Sequence, residues 1–241
     1  MQHFLENYPI LFYPEVDSTN SELKRLIKEK SIKPPFLIYA AHQTAGRGQR
    51  QNEWSSAANQ NILCSFLLDG IAINDLPFVN NVAALSICKT LDAFGISQAK
   101  VKWPNDIFVH EQKIAGILTE NVISGSMIKN TIVGIGLNVN QSNNLLDRTV
   151  SMASVKREVF SINNVLISLF QSFYELLKKD KKVLLDMVNA RLYKKDESVT
   201  FLTEEGTTSY NIQAILNNGN LLVSNSQSFN ELEHHRVKWQ H

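Results

Sequence analysis

Between residues 100 and 140, four apolar runs (100–103, 107–109, 113–122 and 130–140) follow one another with only turn-sized gaps. Gaps this short favour strands joined by hairpins, so the spacing predicts a mixed or antiparallel sheet through this stretch. Further strands are expected at 8–13, 36–41 and 61–68. Helical patterns surround them. Thr19 with Glu22 three positions on fits a capping box, and Leu23, Leu26 and Ile27 then repeat at helical spacing. That predicts a helix from near Asn20 toward Lys30, stopped by Pro34-Pro35. Residues 80–94 have a second helical period, with Gly95 set as its C-cap. Residues 162–178 carry Val165, Leu166, Leu169, Phe170, Phe173 and Leu177 on one side, and a further helix runs to about residue 191.

After Lys194-Lys195-Asp196-Glu197 the character changes to short strands at 199–202, 210–216 and 220–223, with Asn217-Asn218-Gly219 as a hairpin signal. A tail of about 45 residues is too small to rely on a core of its own, so it is expected to pack on the rest. The division falls into residues 1–194 and 195–241.

With 241 residues, 44% of them hydrophobic, the chain can bury a core without disulfides. Cys64 and Cys88 lie among apolar neighbours and read as buried, reduced thiols. A net charge of +1 argues against a mainly nucleic-acid-binding protein, which is usually markedly basic. His234-His235 reads as surface rather than metal ligand, since neighbours on a strand point to opposite faces. The start of the chain lacks a signal-peptide pattern, and no apolar run approaches the roughly 18 residues of a membrane span, so a cytoplasmic protein is expected.

Chemistry is concentrated in four places. Gln43-Thr44-Ala45-Gly46-Arg47-Gly48-Gln49-Arg50, closed by Trp54, is built to grip an anion. Its glycines let backbone N–H groups approach a ligand, and its arginines supply forked cationic donors. Asp17-Ser18-Thr19-Asn20 stands at a helix start. Lys102-Trp103-Pro104-Asn105-Asp106 precedes Lys113-Ile114-Ala115-Gly116-Ile117-Leu118, and Gly134-Ile135-Gly136-Leu137-Asn138 follows. Trp103 reads as core sooner than as a stacking surface.

In this order the motifs closely resemble the catalytic domain of biotin–protein ligases, over roughly residues 10–140 by motif and the whole chain by architecture. The resemblance implies an α+β fold: a central mixed sheet flanked by helices, akin to class II aminoacyl-tRNA synthetases, with a small C-terminal SH3-like β-barrel. It implies an ATP-dependent reaction in which the biotin carboxylate attacks the α-phosphorus to give biotinyl-5′-AMP, and a carrier lysine then takes the acyl group. A carboxylate is already nucleophilic at neutral pH, so the first step calls for cations and not a general base.

By the same resemblance, Lys113, Arg47 and Asp106 carry the catalysis. Ser18, Thr19, Asn20, Gln43, Gly46, Arg47, Gly48, Gln49, Lys113 and Gly116 bind biotin. Arg47, Arg50, Trp54, Asn105, Lys113 and Asn138 bind ATP, with Mg2+ entering on the phosphates. Two positions depart from the family: Gln49 stands where Arg is common and Gln51 where Gly is usual. Residues 44–54 are expected to be disordered without ligand and to close over biotin, because ordering each residue costs roughly 1–2 kcal/mol.

Only about 17 residues precede Ser18, so an N-terminal winged-helix domain and operator binding are not expected. The expected partner is the biotin carboxyl carrier domain of a carboxylase, with a weak homodimer as a further expectation. The alternatives are a lipoate or octanoate ligase of the same fold and a non-catalytic adaptor. Arg236 and Lys238 of the tail either reach nucleotide or acceptor or are simply solvated.

Overall fold

Ile10–Tyr13 (β1) lies parallel to Phe36–Ala40 (β2), and every other pairing in the main sheet is antiparallel. The computed structural model describes residues 9–124, 127–142, 148–204, 206–226 and 228–240. The sheet continues through Asn61–Asp69 (β3), Ala99–Lys102 (β4), Asp106–Val109 (β5), Gln112–Ser124 (β6) and Met127–Asn138 (β7), in spatial order β1-β2-β3-β7-β6-β5-β4. The turn-sized gaps therefore gave antiparallel neighbours, as their length requires. The central strand β3 is buried on both faces up to Asp69, which is why it reads as a continuous apolar run.

Helices Thr19–Lys28 (α1), Leu76–Ala93 (α2), Met152–Lys156 (α3), Ile162–Leu176 (α4) and Lys181–Ala190 (α5) pack on this sheet and on one another. On one face α2 and α4 build the main core, where Phe66 of β3 stacks on Phe173 at 4.0 Å between ring centres. On the other, Leu23 of α1 meets Ile38, Leu67 and Ile132 in a smaller cluster. Gly95 ends α2 as expected: at φ +76 it donates to the Asp92 carbonyl, and Ile96 donates to Leu91, a left-handed cap that favours glycine.

Three local expectations are corrected. The residue that caps α1 is Ser18, in extended conformation, and Thr19 is already helical. The capping box does not form, because the Thr19 N–H and hydroxyl both donate to Gln43 Oε1, at 2.8 and 3.0 Å, while Glu22 takes a bond from the Tyr13 hydroxyl. A tertiary contact has displaced the local one. Helix α2 begins at Leu76, ahead of residue 80, with Pro77 in its first turn, where a missing N–H costs nothing. The short helix α3, capped by the Ser151 hydroxyl, had no periodic signal to announce it.

The tail forms a second, antiparallel sheet from Ser198–Thr203 (β8), Gly206–Ile215 (β9), Leu221–Ser224 (β10), Phe229–Leu232 (β11) and Lys238–Trp239 (β12), in order β11-β10-β9-β8-β12. This fits an SH3-like unit, with two strands more than the sequence pattern suggested. Gly219, at φ +85, turns the β9–β10 hairpin. His234 and His235 sit on the exposed turn between β11 and β12 rather than on a strand. The tail docks through polar pins as well as apolar contact. The Trp103 indole donates to the Gly219 carbonyl and the Trp239 indole to the Trp103 carbonyl, both at 2.9 Å, and Asn189 pairs with both backbone groups of Ile215. Phe201, Ile212, Leu221 and Val223 belong to the same continuous core as α2 and α4.

Cys64 and Cys88 are buried and unbridged. Burial pushes both thiols up, Cys88 to about 12. No helix among the described residues is long and apolar enough to cross a membrane.

Candidate active site

Three glycines form the floor of a cleft of about 340 Å³ on the α1 side of the sheet. Gly116 of β6 faces Gly136 of β7, and Gly134 faces both Ser65 of β3 and Leu118 of β6. The Trp54 indole lies on the first pair: a Cβ at Gly136 would fall well inside 3.0 Å of its ring, and one at Gly116 would be 3.1 Å away. Asn20 lies on Gly134 in the same way. Side chains of the protein thus lie in the clearance that these glycines give. The Trp54 indole N–H is buried with no hydrogen-bond partner.

At one end of the cleft, the start of α1 supplies a polar cluster. Ser18, Thr19 and Asn20 are all nearly buried. Gln43 Oε1 takes both Thr19 donors, and the Ser65 hydroxyl lies 2.7 Å from Thr19 Oγ1 and 2.6 Å from Asn20 Oδ1. Asn20 Nδ2 donates to the Leu118 carbonyl and to Glu120, at 3.2 and 2.8 Å. Glu120 also accepts from Lys24 (2.7 Å) and Arg47 (3.0 Å). Burial alone would raise its pKa, but the bonds from Lys24 and Asn20 and the nearby cations outweigh this and hold it below the usual value.

At the other end Lys113 meets Asp106. Alternation along β6 would send Lys113 and Gly116 to opposite faces. A register shift opposite Ile107 and Phe108 adds one residue to β6, so Phe108 pairs with Lys113 while Asp106 pairs with Gly116. Lys113 thereby comes onto the Gly116 face, and its ammonium sits 2.7 Å from Asp106 Oδ1. Lys102, across the β4–β5 pair from Asp106, lies 5% exposed. Its ammonium stands over the rings of Phe108 (4.4 Å), Trp239 (4.9 Å) and Tyr193 (5.9 Å). Burial lowers its pKa from 10.5 to about 8, against the pull of Asp106.

The Gly-Arg-Gly loop arches over the cleft as a tight hairpin. Arg47 pairs with Glu53, Gly48 donates to Asn52 (2.7 Å), and Trp54 donates to Gly46 (2.9 Å). Arg50, in the left-handed region at φ 54, donates to the carbonyls of His234 and Val237 in the tail. The Trp54 ring against the glycine floor and the Arg50 bonds to the tail are contacts that work against the ordering cost of residues 44–54.

Ser18, Thr19, Asn20, Gln43, Arg47, Gly48, Gln49, Arg50, Trp54, Asn105, Asp106, Lys113 and Gly116 all line this cleft. Gly46 borders an adjoining hollow behind the loop. Asn138 is not brought to the cleft; it is buried and donates to the Val150 carbonyl. Asn105 reaches the cleft, but its amide donates to the Ile117 carbonyl, which is turn-fixing chemistry. Arg47 and Arg50 line the cleft while bonded to Glu120 and to the tail carbonyls, respectively. Sequence reasoning missed Ser65, Glu120, Lys102 and Trp239. Glu120 was within reach, since residues 116, 118 and 120 alternate onto one face. Ser65 was a lone hydroxyl in an apolar strand, and Trp239 carried no local signal.

A model of the family described as "Biotin/lipoate A/B protein ligase family" matches residues 12–138, more than half of the chain and the stretch that builds this cleft. The chain belongs to the biotin/lipoate A/B protein ligase family. Among curated members, it is 33% identical over 132 residues to the bifunctional ligase/repressor BirA of Bacillus spizizenii, covering 54% of this chain and 41% of that protein. It is 35% identical over 132 residues to the biotin–[acetyl-CoA-carboxylase] ligase of Paracoccus denitrificans, covering 51% of each. The matched stretch thus spans about half the length of these family members or less. Among solved structures, the biotin protein ligase of Aquifex aeolicus in complex with biotin and ATP superposes with a TM-score of 0.81 at 26% identity, covering 96% of this chain and 98% of that one. The family match covers the main sheet, and the structural likeness extends it through the tail.

Proposed function

We propose that this protein is an ATP-dependent biotin–protein ligase. The observation that carries this is the layout of a single cleft: a polar cluster of Ser18, Thr19, Asn20 and Gln43 at one end, a glycine floor under Trp54, and Lys113 with Asp106 at the other. A ureido head, an apolar tail and a reactive carboxylate have the same order along biotin. The similarity to ligases whose names specify biotin and acetyl-CoA carboxylase supports the same substrate and an acceptor lysine on a carboxylase carrier domain.

In the first step a biotin carboxylate oxygen attacks the α-phosphorus of ATP, the P–O bond to the β-phosphate breaks, and pyrophosphate leaves. Lys113, held by Asp106, offsets negative charge on the crowded phosphorus. Lys102 adds a second cation beside it. In the second step the neutral carrier amine attacks the acyl carbon, AMP leaves, and the amine loses its proton as the amide forms. The hairpin 44–54 and Trp54 keep water from the mixed anhydride between the steps. Among the described residues no group of three His, Cys, Asp or Glu side chains could hold a metal, and Asp106 and Glu120 are committed to cations. Mg2+ would enter with the nucleotide phosphates, and no protein ligand set is assigned to it.

The dithiolane or alkyl end of lipoate or octanoate brings no donor or acceptor to this polar cluster, which disfavours that alternative. Biotin-dependent exchange of pyrophosphate into ATP tests the proposal, followed by transfer to a carrier domain. No exchange with biotin, or equal exchange with lipoate, would overturn it.

A further inference from the structure

Glu120 holds neither the reacting atoms nor a turn, yet three side chains from two separate elements converge on it. Lys24 of α1 donates to Oε1, and Asn20 of α1 and Arg47 of the hairpin both donate to Oε2. The side chain of Glu120 is 19% exposed, and that of Arg47 43%.

The consequence lies in Asn20. An amide can be turned either way unless its neighbours fix it. The Leu118 carbonyl and the Glu120 carboxylate are acceptors only, and both face the same atom of Asn20. That atom must be the nitrogen. Asn20 Oδ1 is therefore turned the other way, against Gly134 on the cleft floor and the Ser65 hydroxyl. Gln43 is fixed by the same logic: its oxygen takes both Thr19 donors, so its nitrogen faces Gly46. Both amides are thus set, with Asn20 Oδ1 toward the glycine floor and Gln43 Nε2 toward Gly46. A cyclic urea has the matching groups, N–H on one side and C=O on another.

We propose that Glu120 is a specificity-determining positioning residue: it locks the Asn20 amide so that its oxygen receives a ligand N–H, and it ties Arg47 and the hairpin down over that end of the cleft. This rests on the ligase reading. Its ligand class is a carboxylic acid with a urea-type head carrying free N–H groups. The charges of Lys24 and Arg47 keep the carboxylate ionised, which is the form that can only accept.

The experiment is a cycle between protein and ligand. Binding of biotin and of its two mono-N-methyl ureido analogues is measured by calorimetry on the native protein, Glu120→Ala and Glu120→Gln, with tryptic cleavage at Arg47 followed in parallel. In the native protein one N-methylation is expected to weaken binding about tenfold, equivalent to one lost hydrogen bond. In Glu120→Ala biotin itself binds about tenfold more weakly, and the penalty for that methylation shrinks at least threefold, because a freed amide no longer presents its oxygen. A general loss of structure would not remove the penalty selectively. In Glu120→Gln the side-chain carbonyl still accepts from Asn20, so the penalty persists while cleavage at Arg47 quickens. If Glu120→Ala does not fold, Glu120→Gln decides alone: a lost penalty or unchanged cleavage overturns the proposal. An unchanged penalty in Glu120→Ala also overturns it. If the native protein does not bind biotin, the ligase reading falls and this inference with it, whereas tight native binding with no effect of Glu120 sinks this inference alone.

Discussion

Lys113 reaches Asp106 only because β6 carries one residue more than β5 opposite Phe108, which turns the lysine onto the face of Gly116 and sets its ammonium 2.7 Å from the carboxylate. A bulge of this kind re-aims a side chain without disturbing the strand on either side of it. The pair has one residue for charge and one for placement. Lys113→Ala is expected to lower biotin-dependent pyrophosphate exchange by about 10²–10³-fold. Asp106→Asn should cost less and act mainly on kcat, since the lysine remains but is less firmly held. Near-native exchange in Lys113→Ala would show that another cation does this work.

The glycine floor predicts a steric switch. A methyl group at Gly136 cannot coexist with the Trp54 indole as placed. Gly136→Ala should therefore lift Trp54 and the hairpin, weaken biotin at least tenfold, and speed tryptic cleavage at Arg47 and Arg50, with little change in melting temperature. Native biotin affinity in this variant would mean that Trp54 is not part of the closed cleft.

Lys102 predicts a pH dependence. Burial among Phe108, Tyr193 and Trp239 lowers its pKa from 10.5 to about 8, with Asp106 and Glu111 opposing and Lys113 and Arg148 adding to the shift. The depressed value means that the charge is present below pH 8 and is lost as pH rises through 8. The KM for ATP should then climb between about pH 7.5 and 9. Lys102→Arg should flatten that limb, because a guanidinium stays charged throughout. A KM that is level over this range in the native protein would refute the role.

The tail should not melt by itself. Its core residues are continuous with those of the main sheet, and Trp103 and Trp239 pin the two sheets together. Urea unfolding followed by tryptophan fluorescence and by far-ultraviolet circular dichroism is expected to give one coincident transition. Trp103→Phe should lower stability by about 1–3 kcal/mol, as the Gly219 carbonyl loses its donor. Two separated transitions would show that the tail is an independent unit.

Much of this protein is written in local sequence. Short gaps fixed antiparallel pairing, apolar periods fixed α1, α2 and α4, and Gly95 and Gly219 fixed a helix end and a hairpin, because each depends on backbone geometry within a few residues. The residue types of the cleft were legible too, and most of those singled out do line it. What each side chain bonds to was not. Thr19 and Glu22 looked like a capping box, but Gln43 and Ser65, far along the chain, hold the Thr19 hydroxyl. Nothing local told that Arg47 would meet Glu120 or that Arg50 would meet the tail carbonyls. Lys113 and Gly116 share a face only through a bulge that no alternation rule contains. Hydrogen-bond partners and buried charge are set by which strands lie side by side. That adjacency exists only once the sheet has closed, so tertiary structure alone decided the polarity of the site.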